Sequence, residues 1–204
     1  MSEPKPLLLE TIKIEDGQIH NLSYHQKRCT KSRQVLFNSQ DNLSLDSHIK
    51  APSKGLYRCR ILYSTHIHSI EYIPYKEKEI SLLKIISSSI EYPFKYAHRD
   101  RLNHLLTTEN NVDEIIIEKG GYLTDTTIAN IAFFNGQHWI TPAKPLLEGT
   151  MRAKLIDEGF LHMSDIKQEN LENYTQVALM NAMIGFKILK NVHIQDLKGN
   201  THDY

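Results

Sequence analysis

Three short segments of this 204-residue chain carry side chains whose chemistry could be combined. The first is YPFKYAHRDRLNHLL (92–106), which sets Lys95 at the junction of a strand-like and a helix-like stretch. The second is YLTDTTIANIAFF (122–134), where Asp125 stands among threonines just ahead of an apolar run. The third is PLLEGTMRAKL (145–155), where Gly149-Thr150 opens a helix-like stretch. A lysine amine can form a Schiff base with an aldehyde, and a carboxylate can hold a proton on a ring nitrogen. The exposed N–H groups and dipole of a helix start attract an anion. Each segment alone also has a plainer reading: an exposed lysine, an Asx-turn or cap, and a helix start with no ligand.

Together, a lysine, an acid and a phosphate-accepting helix start are what pyridoxal 5'-phosphate (PLP) requires. The acid keeps the pyridine nitrogen protonated, which makes the ring an electron sink for a carbanion. Other site types lack their residues. There is no glycine-rich loop of the P-loop or Rossmann kind, and no serine sits in G-x-S-x-G. His66-x-His68 would place two imidazoles on one strand face, but with no cysteine or acid set nearby they read as surface or packing histidines.

Lys plus Arg and Asp plus Glu are balanced at 24 each, so no strong field favours nucleic acid. The basic cluster Lys27, Arg28, Lys31 and Arg33 reads as a solvated helix face in which one anion-binding arginine could sit. The cysteines, Cys29 and Cys59, stand among polar and basic residues and make neither a disulfide framework nor a zinc site. A reducing cytoplasm is the expected compartment. The N-terminal MSEPKPLLLE has too short an apolar run for a signal peptide, and no apolar stretch of about 18 residues spans a membrane.

The elements that must position these residues can be read from periodicity. LLLETIKI (7–14) reads as a strand, Glu15-Asp16-Gly17 as a turn, and residues 18–22 as the hairpin partner. A helix is expected over Tyr24 to Phe37 with Ser23 as N-cap, then a loop over 38–54. Alternation over 55–64 and 66–75 marks two half-buried antiparallel strands, with a third strand within 79–90. A helix over Arg99 to Glu109, a strand at 113–117 and a turn at Lys119-Gly120-Gly121 lead into the second segment. There Ile131–Phe134 and His138–Ile140 flank Asn135-Gly136, a strong hairpin signal. A helix over Glu148 to Glu158 stopped by Gly159, and strands at Val177–Met180 and around 187–189, complete the reading.

In YLTDTTIANIAFF…G…W.TP…LLEGTMR (122–152), an acid and small residues precede Asn and an apolar strand, then a turn, Thr-Pro and Leu-x-Gly-x-x-Arg. This order resembles the class IV aminotransferases. These fold-type IV PLP enzymes include branched-chain and D-amino-acid aminotransferases and 4-amino-4-deoxychorismate lyase. The resemblance runs from about residue 7 to about residue 190. It implies that Lys95 is the Schiff-base lysine, and Arg99, four residues on, resembles the lyase version of that motif. Asp125 falls where the family has the glutamate that contacts the pyridine nitrogen, one methylene shorter. Thr150 and Met151 fall on the pair whose backbone N–H groups hold the phosphate. Arg28, in HQKRCTKS, matches the H-x-x-R arginine that also grips it. Asn181-Ala182, in LMNAM, lies at the last phosphate-contacting loop and looks like the lyase form. The family usually carries an extra strand pair before the segment matching LLLETIKIEDG.

The implied fold is α+β, a two-lobed α/β fold-type IV architecture like D-amino-acid aminotransferase. A small N-terminal lobe is expected over 1–94 and a larger, cofactor-binding C-terminal lobe over 95–204. The implied partner is a small-molecule amino substrate, with a homodimer as the assembly and neither nucleic acid nor membrane involved. The implied activity is 4-amino-4-deoxychorismate lyase-like. An amino acid aminotransferase of the branched-chain or D-amino-acid type, or a non-catalytic PLP-binding protein, are the alternatives.

Overall fold

A computed structural model of the chain describes residues 6–204, so the first five residues of the MSEPKPLLLE stretch lie outside it. The architecture is mixed α/β, in two compact units. One contains the described residues up to Lys76 together with Phe94–His98; the other contains Glu77–Pro93 and Arg99–Tyr204. No helix among the described residues is long and apolar enough to cross a membrane.

The first unit begins with β1 (Leu8–Glu15) and β2 (Gln18–Ile19), followed by α1 (Leu22–Phe37), β3 (Leu56–Tyr63) and β4 (Ile67–Pro74). Among the described residues these strands form an antiparallel sheet in the order β2-β1-β3-β4. Asp16 and Gly17 both take positive φ, 47° and 82°, as the two-residue turn of a right-twisted hairpin demands. Strand alternation puts Leu8, Glu10, Ile12 and Ile14 on one face, and all four are fully buried. Their apolar members pack with Cys29, Cys59, Ile61 and Tyr63.

Helix α1 departs from expectation in two ways. Its N-cap is Asn21, not Ser23, in the left-handed region at φ 57°, with no side-chain cap bond. Asparagine tolerates that conformation better than most residues, which lets the chain reverse sharply after β2. The buried side of α1 is also largely polar: His25, Cys29, Ser32 and Arg33. Within the basic cluster Lys27 and Lys31 are exposed, while Arg33 is buried. Arg33 pairs with the Asp41 carboxylate and donates to the carbonyls of Ser64 and Thr65. Both cysteines are free and buried despite their polar neighbours in sequence. Burial pushes the Cys29 thiol up to about 12 and the Cys59 thiol to about 11, so neither is a ready nucleophile at neutral pH.

The second unit is built from β5 (Leu82–Ser87), α2 (Asp100–Thr107), β6 (Glu114–Lys119), β7 (Tyr122–Thr126), β8 (Asn130–Phe134) and β9 (Trp139–Pro142). It continues with α3 (Thr150–Asp157), β10 (Leu161–Ser164), β11 (Gln176–Asn181), β12 (Gly185–Ile188), β13 (His193–Gln195) and β14 (Thr201–Asp203). Among the described residues the main sheet path is β10-β9-β8-β7-β6-β5-β13-β14, with β11 joining through β8 and carrying β12. β5, read from sequence simply as a third strand after the β3–β4 pair, lies parallel between β6 and β13 in this larger sheet. Its Leu83 and Ile85 are fully buried, as a central strand requires.

Three turns and bends fix the strands around the candidate site. Gly120 and Gly121, at φ 60° and 88°, make a two-residue turn that sets Lys119 opposite Tyr122. The Asn135 side chain accepts from the N–H groups of Gln137 and His138 and holds the β8–β9 hairpin. The α3 helix ends at Gly159, whose φ of 72° suits its place just past the last turn. The main core of this unit includes Ile116, Leu123, Ile131, Phe133, Val177 and Leu179.

Candidate functional site

Thr124-Asp125-Thr126-Thr127 is not a plain turn: its first three residues complete β7, and all four are buried. Between β6 and β7 the register slips, with Ile116 opposite Thr126 but Glu118 opposite Leu123, so β7 carries one extra residue there. Such a bulge bends the strand and re-aims its side chains. Each threonine hydroxyl then has a task. Thr124 donates to the Ile117 carbonyl. The Thr126 hydroxyl accepts from the N–H groups of Ile128 and Ala129, closing the turn into β8. Thr127 donates its hydroxyl and its N–H to the buried Glu114.

Asp125 is 4 % exposed and sits opposite Asn130 in the β7–β8 ladder. Its Oδ1 accepts from Asn130 Nδ2 at 2.7 Å and its Oδ2 from the Leu147 N–H at 2.9 Å. Burial pushes its carboxyl up to about 6, against the pull of these two bonds, of the Arg152 charge and of a further bond from the Leu146 N–H. Arg152, on α3, is buried and anchors one terminal nitrogen on the Pro142 carbonyl, which explains the pairing of Thr-Pro with the later arginine in the sequence.

Helix α3 starts at Thr150 after Gly149, without any side-chain cap. Thr150 is buried and Met151 partly buried. The first N–H groups of a helix have no partner within it and carry the positive end of its dipole. The Asn181 side chain closes the turn after β11 by accepting from the N–H groups of Met183 and Ile184. It also donates to the Ile128 carbonyl, in the turn that follows Asp125. Ala182 lies in that same β11–β12 turn. Gly185, which ends the turn at φ 67°, lies close to Met151: a Cβ there would meet Met151 Cε at 3.9 Å. Asp125, Thr150, Met151, Asn181 and Ala182 are thus drawn together by short links within this unit. Arg99, at the N-cap of α2, donates to the Thr127 carbonyl and so braces the same turn.

Lys95 and Arg28 belong to the first unit. The 94–98 segment runs along β1: the Leu9 N–H donates to the Lys95 carbonyl at 2.9 Å and the Ala97 N–H to the Leu7 carbonyl at 2.8 Å. Leu8 bridges Tyr96 between them. Lys95 is half-buried. Arg28 is turned into a two-point pair with Glu10, Nε to Oε1 at 2.9 Å and a terminal nitrogen to Oε2 at 2.6 Å. His25 Nδ1 lies 2.6 Å from the same Oε2. Burial would raise the Glu10 carboxyl, but the Arg28 charge and the bonds from His25 and Arg28 outweigh it and hold it at about 2. Burial lowers His25, and the charges of Arg28 and Lys95 add to that, although Glu10 opposes them.

The sequence motifs contain His25, Asn130 and Arg152 without assigning them a role, and Glu10 was missed altogether. Glu10 had a signal: it breaks the apolar face Leu8–Ile12–Ile14, where a carboxylate has to be paired. His25 and Arg28 lie three apart, one helical turn, which lets both reach it. Elsewhere the His66 and His68 rings lie tilted to each other with centroids 4.3 Å apart, and no group of three or more His, Cys, Asp or Glu among the described residues could hold a metal ion.

The chain is similar to known proteins over most of its length. An uncharacterized protein of Haemophilus influenzae is 37% identical over 184 residues, 87% of this chain and 98% of that protein. A solved structure from Haemophilus somnus 129PT, described as a candidate 4-amino-4-deoxychorismate lyase, is 37% identical. It covers 90% of this chain and 100% of its own, with a TM-score of 0.82. The PLP-bound form of a hypothetical aminotransferase from Mycobacterium tuberculosis shares the fold at a TM-score of 0.74 and 13% identity, covering 92% of this chain and 81% of its own. The fold is therefore that of the fold-type IV PLP enzymes, as expected. The family model described as amino-transferase class IV matches residues 7–192, and the chain belongs to that family of PLP-dependent enzymes.

Proposed function

We propose that the protein is a 4-amino-4-deoxychorismate lyase-like enzyme that holds PLP through Lys95, Arg28, Asp125, Thr150, Met151, Asn181 and Ala182. The observation that carries this reading is Asp125, buried yet held by hydrogen-bond donors, in the same unit as the start of α3, where the N-cap is a glycine with no side-chain cap bond. These groups fit the cofactor. An anionic acid with lone pairs to spare suits a ring nitrogen, and a helix start with small neighbours suits a phosphate. The lyase reading is favoured over transamination by Arg99 four residues after Lys95 and by the description of the Haemophilus somnus relative.

Bound PLP supplies an electron sink for negative charge at the substrate carbon that bears the amino group. Lys95 would be the lysine that attaches the cofactor, and as a neutral amine it would move the proton at that carbon as base and then acid. Asp125 would hold a proton on the ring nitrogen. The N–H groups of Thr150 and Met151, with Arg28, would bind the phosphate. A homodimer in the cytoplasm acting on a small amino substrate belongs to the same proposal.

Purified protein supplied with PLP should show an absorbance band at about 410–430 nm, the range of a protonated lysine-linked cofactor. Lys95→Ala should abolish it while the fold is kept. Absence of the band in the wild type would overturn the reading. Pyruvate release from aminodeoxychorismate, set against amino transfer from a donor panel to 2-oxoglutarate, separates the lyase from the aminotransferase.

A further inference from the structure

Asp125, Asn130 and Leu147 close a ring of hydrogen bonds. Asn130 uses both hydrogens of its amide: one goes to Asp125 Oδ1 at 2.7 Å, the other to the Leu147 carbonyl at 2.9 Å. Leu147 returns its N–H to Asp125 Oδ2 at 2.9 Å. Both carboxylate oxygens are therefore fixed, one from β8 and one from the loop that runs into α3. An ionised carboxylate offers about four acceptor sites, and the Leu146 N–H takes a share of what these two bonds leave.

A second observation comes from Gly149. Its backbone, φ −69° and ψ 143°, is one that any residue adopts, so conformation does not explain the glycine. Space does: a Cβ there would lie 1.9 Å from Asn130 Oδ1. The residue at the N-cap of α3 is thus kept bare by the Asn130 amide. Asn130 is 6 % exposed and crosses from the ladder to the helix start at this one point.

We infer that Asn130 is a positioning residue that sets the plane and the proton affinity of the Asp125 carboxylate and ties it to the start of α3, with Gly149 leaving the room this needs. The inference rests on the reading of Asp125 as the acid of the cofactor ring. The charged groups around the carboxylate are few: Arg152 on α3 favours its ionised form, and Glu148 lies beside Arg152. Asn130 is neutral, so its contribution is directional. It aims one donor at one oxygen, and its loss leaves the carboxylate held by the backbone N–H groups of Leu147 and Leu146 alone.

The test reads Asp125 directly in the cofactor-free protein, by the pH titration of its side-chain carboxyl carbon in an NMR spectrum, with PLP affinity measured alongside. Asn130→Ala removes the donor and should raise the midpoint of Asp125 by about one pH unit, a tenfold change in proton affinity. Asn130→Asp sets a second carboxylate against it and should raise it further. Gly149→Ala displaces the amide and should reproduce the Asn130→Ala shift. Because both act through one contact, the Asn130→Ala/Gly149→Ala double variant should be no worse than either single one. Asn130→Ser, which keeps a hydroxyl donor, should fall between wild type and Asn130→Ala and serves if the larger changes prevent folding. An unmoved Asp125 midpoint in the Asn130 variants, or additive effects of the two alanine changes, would overturn the inference. If the midpoint shifts as stated while Asp125→Ala leaves PLP affinity and its absorbance band unchanged, Asn130 still positions Asp125, and it is the ring-acid role that fails.

Discussion

Arg28 grips Glu10 with two nitrogens, 2.9 Å and 2.6 Å from its oxygens, and so neutralises a carboxylate on the apolar face of β1. The pair has a consequence for stability. The Glu10 carboxyl sits at about 2, below its ordinary 4.5, so its contribution is complete above about 4.5 and is lost as pH falls towards 2. A shift of that size corresponds to about 3 kcal/mol. Glu10→Gln should destabilise the protein at neutral pH by about 3–5 kcal/mol, since the Arg28 charge then faces a neutral amide in a buried setting. The variant should also lose most of the acid limb of the stability profile, as followed by urea denaturation from neutral pH downward. An acid limb as steep as that of the wild type would show that other carboxylates set it.

Asp125 predicts the opposite slope. Burial raises its carboxyl from 3.8 to about 6, so the folded chain favours the protonated form. Its contribution to stability is full below the ordinary value and is lost as pH rises through about 6. Relative to Asp125→Asn, which does not titrate, the cofactor-free wild type should lose about 3 kcal/mol between about pH 4 and about pH 7. Urea midpoints of the two proteins across that range measure the difference. A constant gap would mean that Asp125 has an ordinary proton affinity in the folded chain.

What the sequence made legible follows from which interactions are local. The β1–β2 turn at Asp16-Gly17, the β8–β9 hairpin at Asn135-Gly136 and the α3 stop at Gly159 each depend on a residue's own backbone preference, and each lies where the pattern puts it. β5 was legible as a strand, but its placement between β6 and β13 depends on partners about 30 and 110 residues away in the chain, which periodicity does not encode. The strands β10, β13 and β14 run only three or four residues and include exposed polar positions, too short for any alternation to register. The polar inner face of α1 defeats an amphipathic reading, because His25, Ser32 and Arg33 are buried against partners rather than apolar walls. The candidate site was legible through motif order. The bonds from Asn130 and Leu147 that hold Asp125 join three chain segments, and no spacing rule announces them.

Tyr204 offers a test of the second unit's core. Its N–H and carbonyl pair with Val192, its hydroxyl donates to the Leu171 carbonyl at 2.9 Å, and its ring lies 6.5 Å from that of Phe133. Tyr204→Ala should cost about 3 kcal/mol through lost burial and a cavity beside Phe133. Tyr204→Phe keeps the ring and should cost about 1 kcal/mol for the hydroxyl bond. Thermal and urea midpoints of both variants check the order. Equal losses would mean that the hydroxyl, not the ring, fastens this residue.

Thr127 links the turn after Asp125 to the floor of the sheet. Its hydroxyl lies 2.8 Å and its N–H 3.2 Å from Glu114 Oε1, while its carbonyl accepts from Arg99. Glu114 is fully buried, and its other oxygen, Oε2, has no hydrogen-bond partner among the described residues, so the Thr127 hydroxyl is one of few donors keeping that carboxylate satisfied. Thr127→Val preserves shape and removes the donor, which should cost about 1–3 kcal/mol, the penalty of leaving a buried acceptor short of its bond. Thr127→Ser keeps the hydroxyl and should stay within about 1 kcal/mol of wild type. Because the turn is continuous with β7, the valine variant should also weaken PLP binding more than the serine variant does, measured by titration of the absorbance band. If stability falls in Thr127→Val while PLP affinity holds, the Glu114 bond supports the sheet alone and the geometry of Asp125 is set by Asn130 and Leu147.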